Sequence, residues 1–467
     1  MNNFHALVIA YLLAIFAPVA KADFELGLTY YQAKNFEKAY KEFLYSGELG
    51  DKDSQFNLGV MHYRGEFTPK SLPKAYAWLS LANQPRLESA EKTLGIISKK
   101  MTPEDIAAGE VLLKDLTLRY SESAIQKRMA PNTAVGSDAV EQYKSIRKIT
   151  PVFPSSALKD GQFGIVDASM TVAKDGSVRD IQILVPNPEF NMATIKAIRQ
   201  WQYLPATKNG MAYSTYGTKV RINYAAGGAA SLDAKKLNKH LSKIKEKALG
   251  GTSQDKYAFA LQTDALQSMV SGIYKEEKEK AKVVFENPNT WYYQAAVEGM
   301  PVAELQMGMN MLAGRMCTLN TDVGLGWIER AASKGTIDAQ YQLGATYYEG
   351  GITERDTTKG IYWLDKASKN GFANASVKLA WIYATSTDAS IRDAAKAKTY
   401  IAQVKDDHPD QLSYWEAQAA VAAAAKDFPS AIKSQQKAVD LATEYGLNLP
   451  TQKLQLAKYE AGQPWVE

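Results

Sequence analysis

The sequence has few of the residues that carry most protein chemistry. It contains one cysteine and four histidines in 467 residues. A single cysteine, Cys317, excludes an internal disulfide. We expect a small core residue there, with an intermolecular disulfide or a reactive thiol as the alternative. The histidines are scattered, none at metal-ligand spacing, and no P-loop, nucleophile elbow or H-E-x-x-H motif occurs. We therefore expect no catalytic residues, no metal and no cofactor.

The balance of charged residues points to no particular class of binding partner. The 55 basic and 50 acidic residues give a formal charge of +5, which is mild for this length and does not indicate nucleic-acid binding. The hydrophobic content of 46% is ordinary for a folded protein. The length favours about three domains.

The apolar run at the N-terminus is short for a membrane span. It extends over residues 6–20, contains Pro18, and ends in the cleavage-like pattern Ala20-Lys21-Ala22. We expect residues 1–22 to be a signal peptide and the mature protein to be periplasmic. The segment before the run lacks lysine and arginine, so an uncleaved inner-membrane anchor is the alternative.

Tryptophans recur at a fixed interval in the second half of the chain. Trp291, Trp327 and Trp363 are 36 residues apart, and columns of glycine, alanine and Met/Leu keep the same interval. A matching set, including Gly59 and Trp78, lies 285 residues before its counterparts near the N-terminus. Such a period indicates stacked repeats.

Each repeat predicts two antiparallel helices. Leu343 and its neighbours at helical spacing form one apolar face, and the small Gly344 allows a second helix to approach. Gly350 and Gly371 are placed to end the two helices. Because one such unit cannot bury its own faces, the units are expected to stack into a solenoid.

The strings AQYQLGATYYEGG and KGIYWLDKASKNG resemble the consensus of the Sel-one-like repeat. The resemblance covers about 50–85 and about 290–400, and residues 27–43 and 422–442 resemble tetratricopeptide units. We expect helical arrays over 23–127 and 290–467. The resemblance implies partner binding in the grooves, at no position that the sequence identifies.

Between the arrays the pattern changes to that of strands. Alternating residues over Gly164–Val185, interrupted by Asp175-Gly176, predict a β-hairpin. A helix capped by Asn191 is expected next, with an apolar stripe reaching Trp201 and a stop at Pro205. A third strand is predicted over 214–224.

This order resembles the C-terminal domain of the TonB family. The matching residues are Pro151, Phe153, Pro154, Gly164, Asp175, Gly176, Trp201 and Pro205, within 140–226. Phe153 stands where the family usually has tyrosine. The resemblance implies that the last strand pairs with a short peptide, the TonB box, along Thr218, Lys219, Val220, Arg221, Ile222, Asn223 and Tyr224.

Two departures limit what the resemblance implies. The domain is internal, and no Pro-rich linker precedes it, so binding is expected rather than force transmission. A basic helical connector is expected over 227–289. The predicted fold is mainly α, with α/α helical-repeat solenoids on both sides of a small α+β domain built on a three-stranded antiparallel sheet.

These features favour a non-catalytic periplasmic scaffold, accessory to a TonB-type transport system, whose partners are proteins such as TonB-dependent outer-membrane transporters and not nucleic acid. The alternatives are a membrane-anchored TonB-like energy transducer for siderophore or vitamin uptake, and an envelope regulatory scaffold independent of transport.

Overall fold

The computed structural model describes residues 22–84, 86–133, 140–141, 143–159, 164–185, 187–224, 234–273, 283–404, 411–447 and 450–467. The expected signal peptide therefore lies almost entirely outside the described residues. The chain divides into two compact units. Unit 1 comprises Met1–Val135, His240–Gln267 and Phe285–Thr336, and unit 2 comprises Gly136–Lys239, Ser268–Val284 and Ile337–Glu467.

Helices dominate both ends of the chain and short strands occupy its middle. The elements in chain order are α1 (Ala22–Gln32), α2 (Phe36–Glu48), α3 (Lys52–Arg64), α4 (Leu72–Ala82), α5 (Glu88–Ser98), α6 (Pro103–Tyr120), α7 (Glu122–Met129), β1 (Val140–Glu141), β2 (Lys144–Arg147), α8 (Ser155–Lys159), β3 (Gly164–Val172), β4 (Val178–Val185), α9 (Asn191–Ile198), β5 (Gln202–Leu204), β6 (Ala206–Lys208), β7 (Met211–Tyr213), β8 (Thr215–Tyr224), α10 (Ala234–Leu249), α11 (Ser253–Ile273), α12 (Pro288–Val297), α13 (Pro301–Leu312), α14 (Thr321–Ser333), α15 (Ile337–Glu349), α16 (Thr357–Lys369), α17 (Ala373–Thr385), α18 (Ala394–Ile401), α19 (Gln411–Ala424), α20 (Phe428–Glu444) and α21 (Pro450–Glu460).

The repeat glycines lie where paired helices cross, as predicted. A Cβ on Gly59 of α3 would lie 2.5 Å from the Leu79 side chain of α4, and a Cβ on Gly344 of α15 would lie 2.7 Å from the Leu364 backbone nitrogen of α16. Real Cβ atoms essentially never approach so closely. These two glycines therefore allow the two helices of their hairpins to pack closely together.

The helix ends also follow the sequence. Gly350 and Gly371 have left-handed φ values of +70° and +88° just after α15 and α16. At the start of α6, Thr102 and Asp105 form a reciprocal capping box, with Pro103 in the first turn. These local signals account for the boundaries of the repeat helices.

Unit 1 brings together helices from before and after the central strands. The Trp327 indole of α14 donates to the Met129 carbonyl at the end of α7 (2.9 Å), across 198 residues of sequence. The Tyr293 hydroxyl donates to the Gln126 carbonyl (2.8 Å). Arg330 donates to the Leu49 carbonyl (2.9 Å). Within unit 1, the first array thus packs directly on repeats that follow the central domain in sequence.

Unit 2 contains the central domain and the remaining repeats. Its main sheet has the order β4-β3-β8 and is antiparallel throughout. The described residues also form a β1-β6-β7 sheet and a β2-β5 pair. Helix α9 contributes Ile195 and Ile198 to the core under the main sheet, where they join Met170, Ile181 and Trp201.

The expected end of the central helix is wrong. Helix α9 ends at Ile198, so Trp201 lies beyond it and Pro205 does not terminate it. The chain leaves the helix because Tyr203 N donates to the Gly176 carbonyl (2.9 Å) at the start of the β5 region. Pairing with the hairpin therefore overrides the helical periodicity of the sequence.

The predicted cap of this helix is also wrong. The N-cap residue is Phe190, which makes no side-chain cap bond. The Asn191 side chain instead accepts a hydrogen bond from the backbone nitrogen of Asn187 (2.8 Å). Phe190 is buried and stacked on Tyr224 at 4.4 Å, so core packing fixes where the helix begins.

Candidate protein-binding edge of the central domain

The predicted last strand lies at one end of its sheet. Strand β8 pairs with β3 from Gly164 opposite Tyr224 to Val172 opposite Thr215, and β3 in turn pairs with β4. Because the order is β4-β3-β8, the described main sheet gives β8 a strand neighbour on one side. All seven residues predicted to bind a partner, Thr218 to Tyr224, belong to this strand.

One face of β8 holds the strand on its own domain. Val220 and Ile222 pack against the core that contains Ile195 and Trp201. Tyr224 is 5% exposed, and its hydroxyl shares a hydrogen bond with the Thr194 hydroxyl (2.9 Å). Burial raises the pKa of Tyr224, so this phenol stays neutral.

The motif residue Phe153 completes the same aromatic cluster. Its ring meets Phe190 at 5.4 Å and Tyr224 at 5.9 Å, edge-on in both cases. Pro154 follows and leads directly into α8. Phe153 therefore packs against the end of β8, and the ring of a tyrosine could make the same aromatic contacts at this position.

The other face of β8 is polar. The Arg221 guanidinium donates to both carboxylate oxygens of Asp167 on β3, at 2.6 and 2.5 Å, and the two residues are register partners. Lys219 is exposed, and its charge opposes the burial that raises the pKa of Asp338. Asn223 lies opposite Ile165 in the register. Charged side chains thus border the strand that is expected to bind.

A β-bulge turns the start of β8 toward the C-terminal repeats. The register shifts between Met170 and Val172, and Gly217 has a left-handed φ of +63°. Tyr216 is consequently buried at 7% exposure, edge-on to Tyr341 of α15 at 6.3 Å. The ammonium of Lys378 lies 5.8 Å from the centre of the Tyr216 ring.

Strand β4 contacts the same array through an ion pair. The Arg179 guanidinium donates to Glu416 (2.8 Å) and to the Ser413 hydroxyl (3.3 Å), both on α19. The two charged side chains are 14% and 10% exposed. Arg199 also donates to the Tyr445 hydroxyl after α20 (2.9 Å). Within unit 2, the array therefore holds β4 and the first residues of β8.

The hairpin turn shows why Asp-Gly is required between β3 and β4. Asp175 accepts hydrogen bonds from the Ser177 backbone nitrogen (2.8 Å) and hydroxyl (2.6 Å). Gly176 has φ +81°, and a Cβ there would lie 2.1 Å from the Tyr203 carbonyl oxygen.

Two further motif residues lie after α9. Trp201 donates to the Ile149 carbonyl (2.9 Å), and Pro205 lies between β5 and β6. These motif residues are therefore structural.

Sequence reasoning missed the contacts that fix the domain on its array. Arg179 and Glu416 are 237 residues apart, and nothing in either local sequence marks them as partners. Tyr216 lies only two residues before the predicted binding segment. Gly217, which follows Tyr216 and permits the bulge, is the one local signal that could have indicated that Tyr216 points away from the core of its own domain.

Two other features, a metal-binding cluster and a membrane-spanning helix, are absent from the described residues. In those parts of the chain, His, Cys, Asp and Glu form no group of three or more that could hold a metal ion. Over the same ranges, no helix has both the length and the apolar character needed to cross a membrane.

The fold and the position of β8 define a class of protein. It is a helical-repeat protein that carries a small α+β domain, and β8 is the last strand in the order of that domain's main sheet. Residues 149–226 match the family described as the Gram-negative bacterial TonB protein C-terminal. Residues 52–84, 301–336 and 337–372 match the Sel1 repeat. The chain therefore carries a TonB C-terminal domain flanked by Sel1 repeats, and both families are protein-interaction domains.

Solved structures of repeat proteins are similar to this chain. A Sel1 repeat protein from Oxalobacter formigenes is 16% identical, with 81% of this chain and 96% of that chain covered and a TM-score of 0.28. The protein c5321, a protective antigen present in uropathogenic Escherichia coli strains that displays an SLR fold, is 15% identical, with 91% and 83% covered and a TM-score of 0.31. No curated protein matches the chain.

Proposed function

We propose that this protein is a non-catalytic scaffold of the Gram-negative periplasm that serves a TonB-type transport system. Its central domain binds an extended peptide of a partner by β-augmentation along Thr218–Tyr224. The observation that carries the proposal is the position of β8 at the end of the sheet in a TonB C-terminal domain.

The physical basis is the hydrogen-bonding capacity of a terminal strand. Backbone groups along such an edge can pair with an added strand, and this pairing is largely indifferent to the partner's sequence. Selectivity comes from side chains on alternate positions. On β8 these are the half-buried Val220 and Ile222 on one face and the exposed Lys219 on the other.

The contacts with the array limit where pairing can occur. Tyr216 is buried among residues of α15 and α17, and Thr218 is only 9% exposed. From Lys219 to Ile222 the described side chains are exposed or half-buried. A partner strand would therefore pair with β8 from Lys219 onward, and the repeats would support β8 at its start.

The proposed location is tested by the N-terminus of the mature protein. Cleavage after Ala22 would make Asp23 the first residue of protein purified from a periplasmic extract, as determined by N-terminal sequencing. Protein that keeps residues 1–22 and stays with the inner membrane would instead support the membrane-anchored transducer.

The strand proposal is tested with proline at two adjacent positions. Successive backbone N–H groups of a strand point to opposite edges, so Val220→Pro and Lys219→Pro remove donors on different sides of β8. One variant is expected to break the β3 pairing and the other to remove an outward donor. Circular dichroism and thermal unfolding identify the variant that stays folded.

The folded variant and the wild type are then used to capture proteins from a cell-envelope extract. We expect the wild type to retain TonB-dependent outer-membrane transporters, identified by mass spectrometry, and the folded variant to lose them. Unchanged capture by that variant would exclude the strand edge as the site. Capture of envelope proteins outside transport would favour the regulatory scaffold.

A further inference from the structure

A cavity of about 300 Å³ lies in the first array, within unit 1, and is partly open to solvent. It is formed by α2, α3, α4 and α6. The volume is at the lower end of the range for ligand pockets, roughly 300–1,000 Å³. A cavity of this size accommodates one large side chain rather than a whole folded surface.

The walls of the cavity are aromatic and aliphatic. Trp78 and Tyr120 stack with ring centres 6.0 Å apart and an angle of 15° between them. Tyr40 lies edge-on to His62 at 5.6 Å, and Leu44 and Leu112 complete the apolar lining. Aromatic surfaces of this kind favour an aromatic or large aliphatic side chain.

The acidic groups of the cavity are already engaged within the array. Glu48 accepts a hydrogen bond from the Tyr120 hydroxyl (2.7 Å). Asp115 is paired with Arg119 one helical turn further along α6. Neither carboxylate is therefore placed to select a cationic partner.

The histidine of the cavity contributes no charge. The two ring nitrogens of His62 lie 3.3 Å from the Tyr40 hydroxyl and 3.0 Å from the Thr68 hydroxyl. Burial, together with the charge of Lys74, lowers the pKa of His62 to about 4. His62 is consequently neutral at physiological pH and has a structural role in the floor of the cavity.

One cation is left at the mouth. Lys74 is exposed on α4 and lines the cavity, and over the described ranges its ammonium makes no hydrogen bond or ion pair. The group is thus available to an anion beside the aromatic wall. The complement of this arrangement is a carboxylate next to a large apolar side chain.

We infer that this cavity binds an acidic peptide segment of a partner, with a large apolar side chain packed against Trp78, Tyr120 and Leu44 and a neighbouring carboxylate on Lys74. The site is separate from β8 and does not depend on strand pairing there. It adds a second point of recognition, located in the first array.

The test uses the full chain and three fluorescein-labelled heptapeptides, Gly-Ser-Glu-Phe-Glu-Ser-Gly and the same peptide with Lys-Phe-Lys or Glu-Ala-Glu at its centre. Fluorescence anisotropy measures the dissociation constants. We expect the Glu-Phe-Glu peptide to bind and the other two to bind at least about tenfold more weakly, because each lacks one half of the complement. Equal binding of all three, or none up to millimolar concentration, would overturn the inference.

Variants locate the binding. Lys74→Glu is expected to weaken the Glu-Phe-Glu peptide about tenfold, whereas Lys70→Glu, the same change at an exposed lysine outside the cavity, should leave it unchanged. Leu44→Trp fills the cavity and should abolish binding. Identical affinities for the Lys74 and Lys70 variants would contradict the assignment. The folded β8 variant must keep full affinity, so failure here and failure at the strand edge are distinguishable.

Discussion

At the scale of single residues, Gly176 sets the turn between β3 and β4. A Cβ at this position would lie 2.1 Å from the Tyr203 carbonyl oxygen, and φ is +81°. We expect Gly176→Ala to lower the free energy of unfolding by about 3 kcal/mol, from the left-handed backbone and the displacement of β5. Urea denaturation measures the loss.

A second glycine separates these two causes. Gly210 has φ +78° but no atom within 4 Å of its built Cβ. Gly210→Ala should therefore cost only the backbone term, about 1 kcal/mol. Equal losses for the two variants would mean that the contact with Tyr203 is relieved without cost.

Glu349 predicts how the stability of unit 2 depends on pH. Burial raises the pKa of Glu349, but the Lys378 ammonium, whose Nζ is 2.5 Å from it, outweighs burial and lowers the pKa to about 2. A carboxylate with a depressed folded pKa stabilises the protein above the unfolded value of 4.5, and this contribution disappears as the pH falls toward 2. We expect the melting temperature to fall between pH 5 and pH 2.5.

The variant Glu349→Gln isolates this contribution. It should be less stable at neutral pH and show a shallower fall in melting temperature over the same window. Glu88→Gln, at an exposed carboxylate in a surface pair, should keep the wild-type slope. A Glu349→Gln variant with the wild-type slope would show that other carboxylates control the acid transition.

At the scale of elements, Tyr216 is the anchor that joins β8 to the repeats. The ring is 7% exposed and belongs to the same buried cluster as Tyr341 and Leu379. Truncation with Tyr216→Ala should leave a void in that cluster and lower the free energy of unfolding by about 3 kcal/mol. Met211→Ala, at a 65%-exposed strand residue, should change it by no more than about 0.5 kcal/mol. Similar losses in urea denaturation would argue against the anchor.

The elements that the sequence predicts well are those with their own periodicity and punctuation. The repeat helices and the hairpin over Gly164–Val185 have both, and the third strand differs from expectation by one residue at its start. The strands of two to four residues, β1, β2, β5, β6 and β7, are too short to show alternation. The sequence predicts too long a helix α9 because Trp201 continues the helical spacing of Ile195 and Ile198. The next residues, Gln202 and Tyr203, already pair with the hairpin.

At the scale of the whole molecule, the sequence indicates which parts exist but not which parts touch. In unit 1, Trp327 bonds to the end of α7 across 198 residues, so repeats on the two sides of the central domain share one packed body. In unit 2, Arg179 reaches Glu416 across 237 residues. Such pairings depend on tertiary geometry, and a single sequence contains no local pattern that specifies them. For the same reason strand β8 could be predicted from its own residues, whereas the array that packs against its first residues could not.

The Arg179–Glu416 pair predicts that the central domain and the C-terminal repeats unfold together. Both side chains are largely buried, so Glu416→Leu removes the carboxylate nearest to the Arg179 guanidinium and leaves Asp175, at 4.0 Å, as the more distant one. This loss should cost about 3 kcal/mol. Arg179→Leu should cost a similar amount, and the double variant less than the sum, because the two side chains interact directly. Differential scanning calorimetry should show one transition for unit 2 in the wild type and an earlier, separate one for the central domain in the single variants.

The exposed Lys41–Glu37 pair of α2 provides the control, since Lys41→Leu should leave the calorimetric trace unchanged. Additive losses, or a trace for Glu416→Leu like that of the control, would mean that the ion pair does not couple the domain to its array and that other contacts, such as those of Tyr216 and Arg199, hold them together.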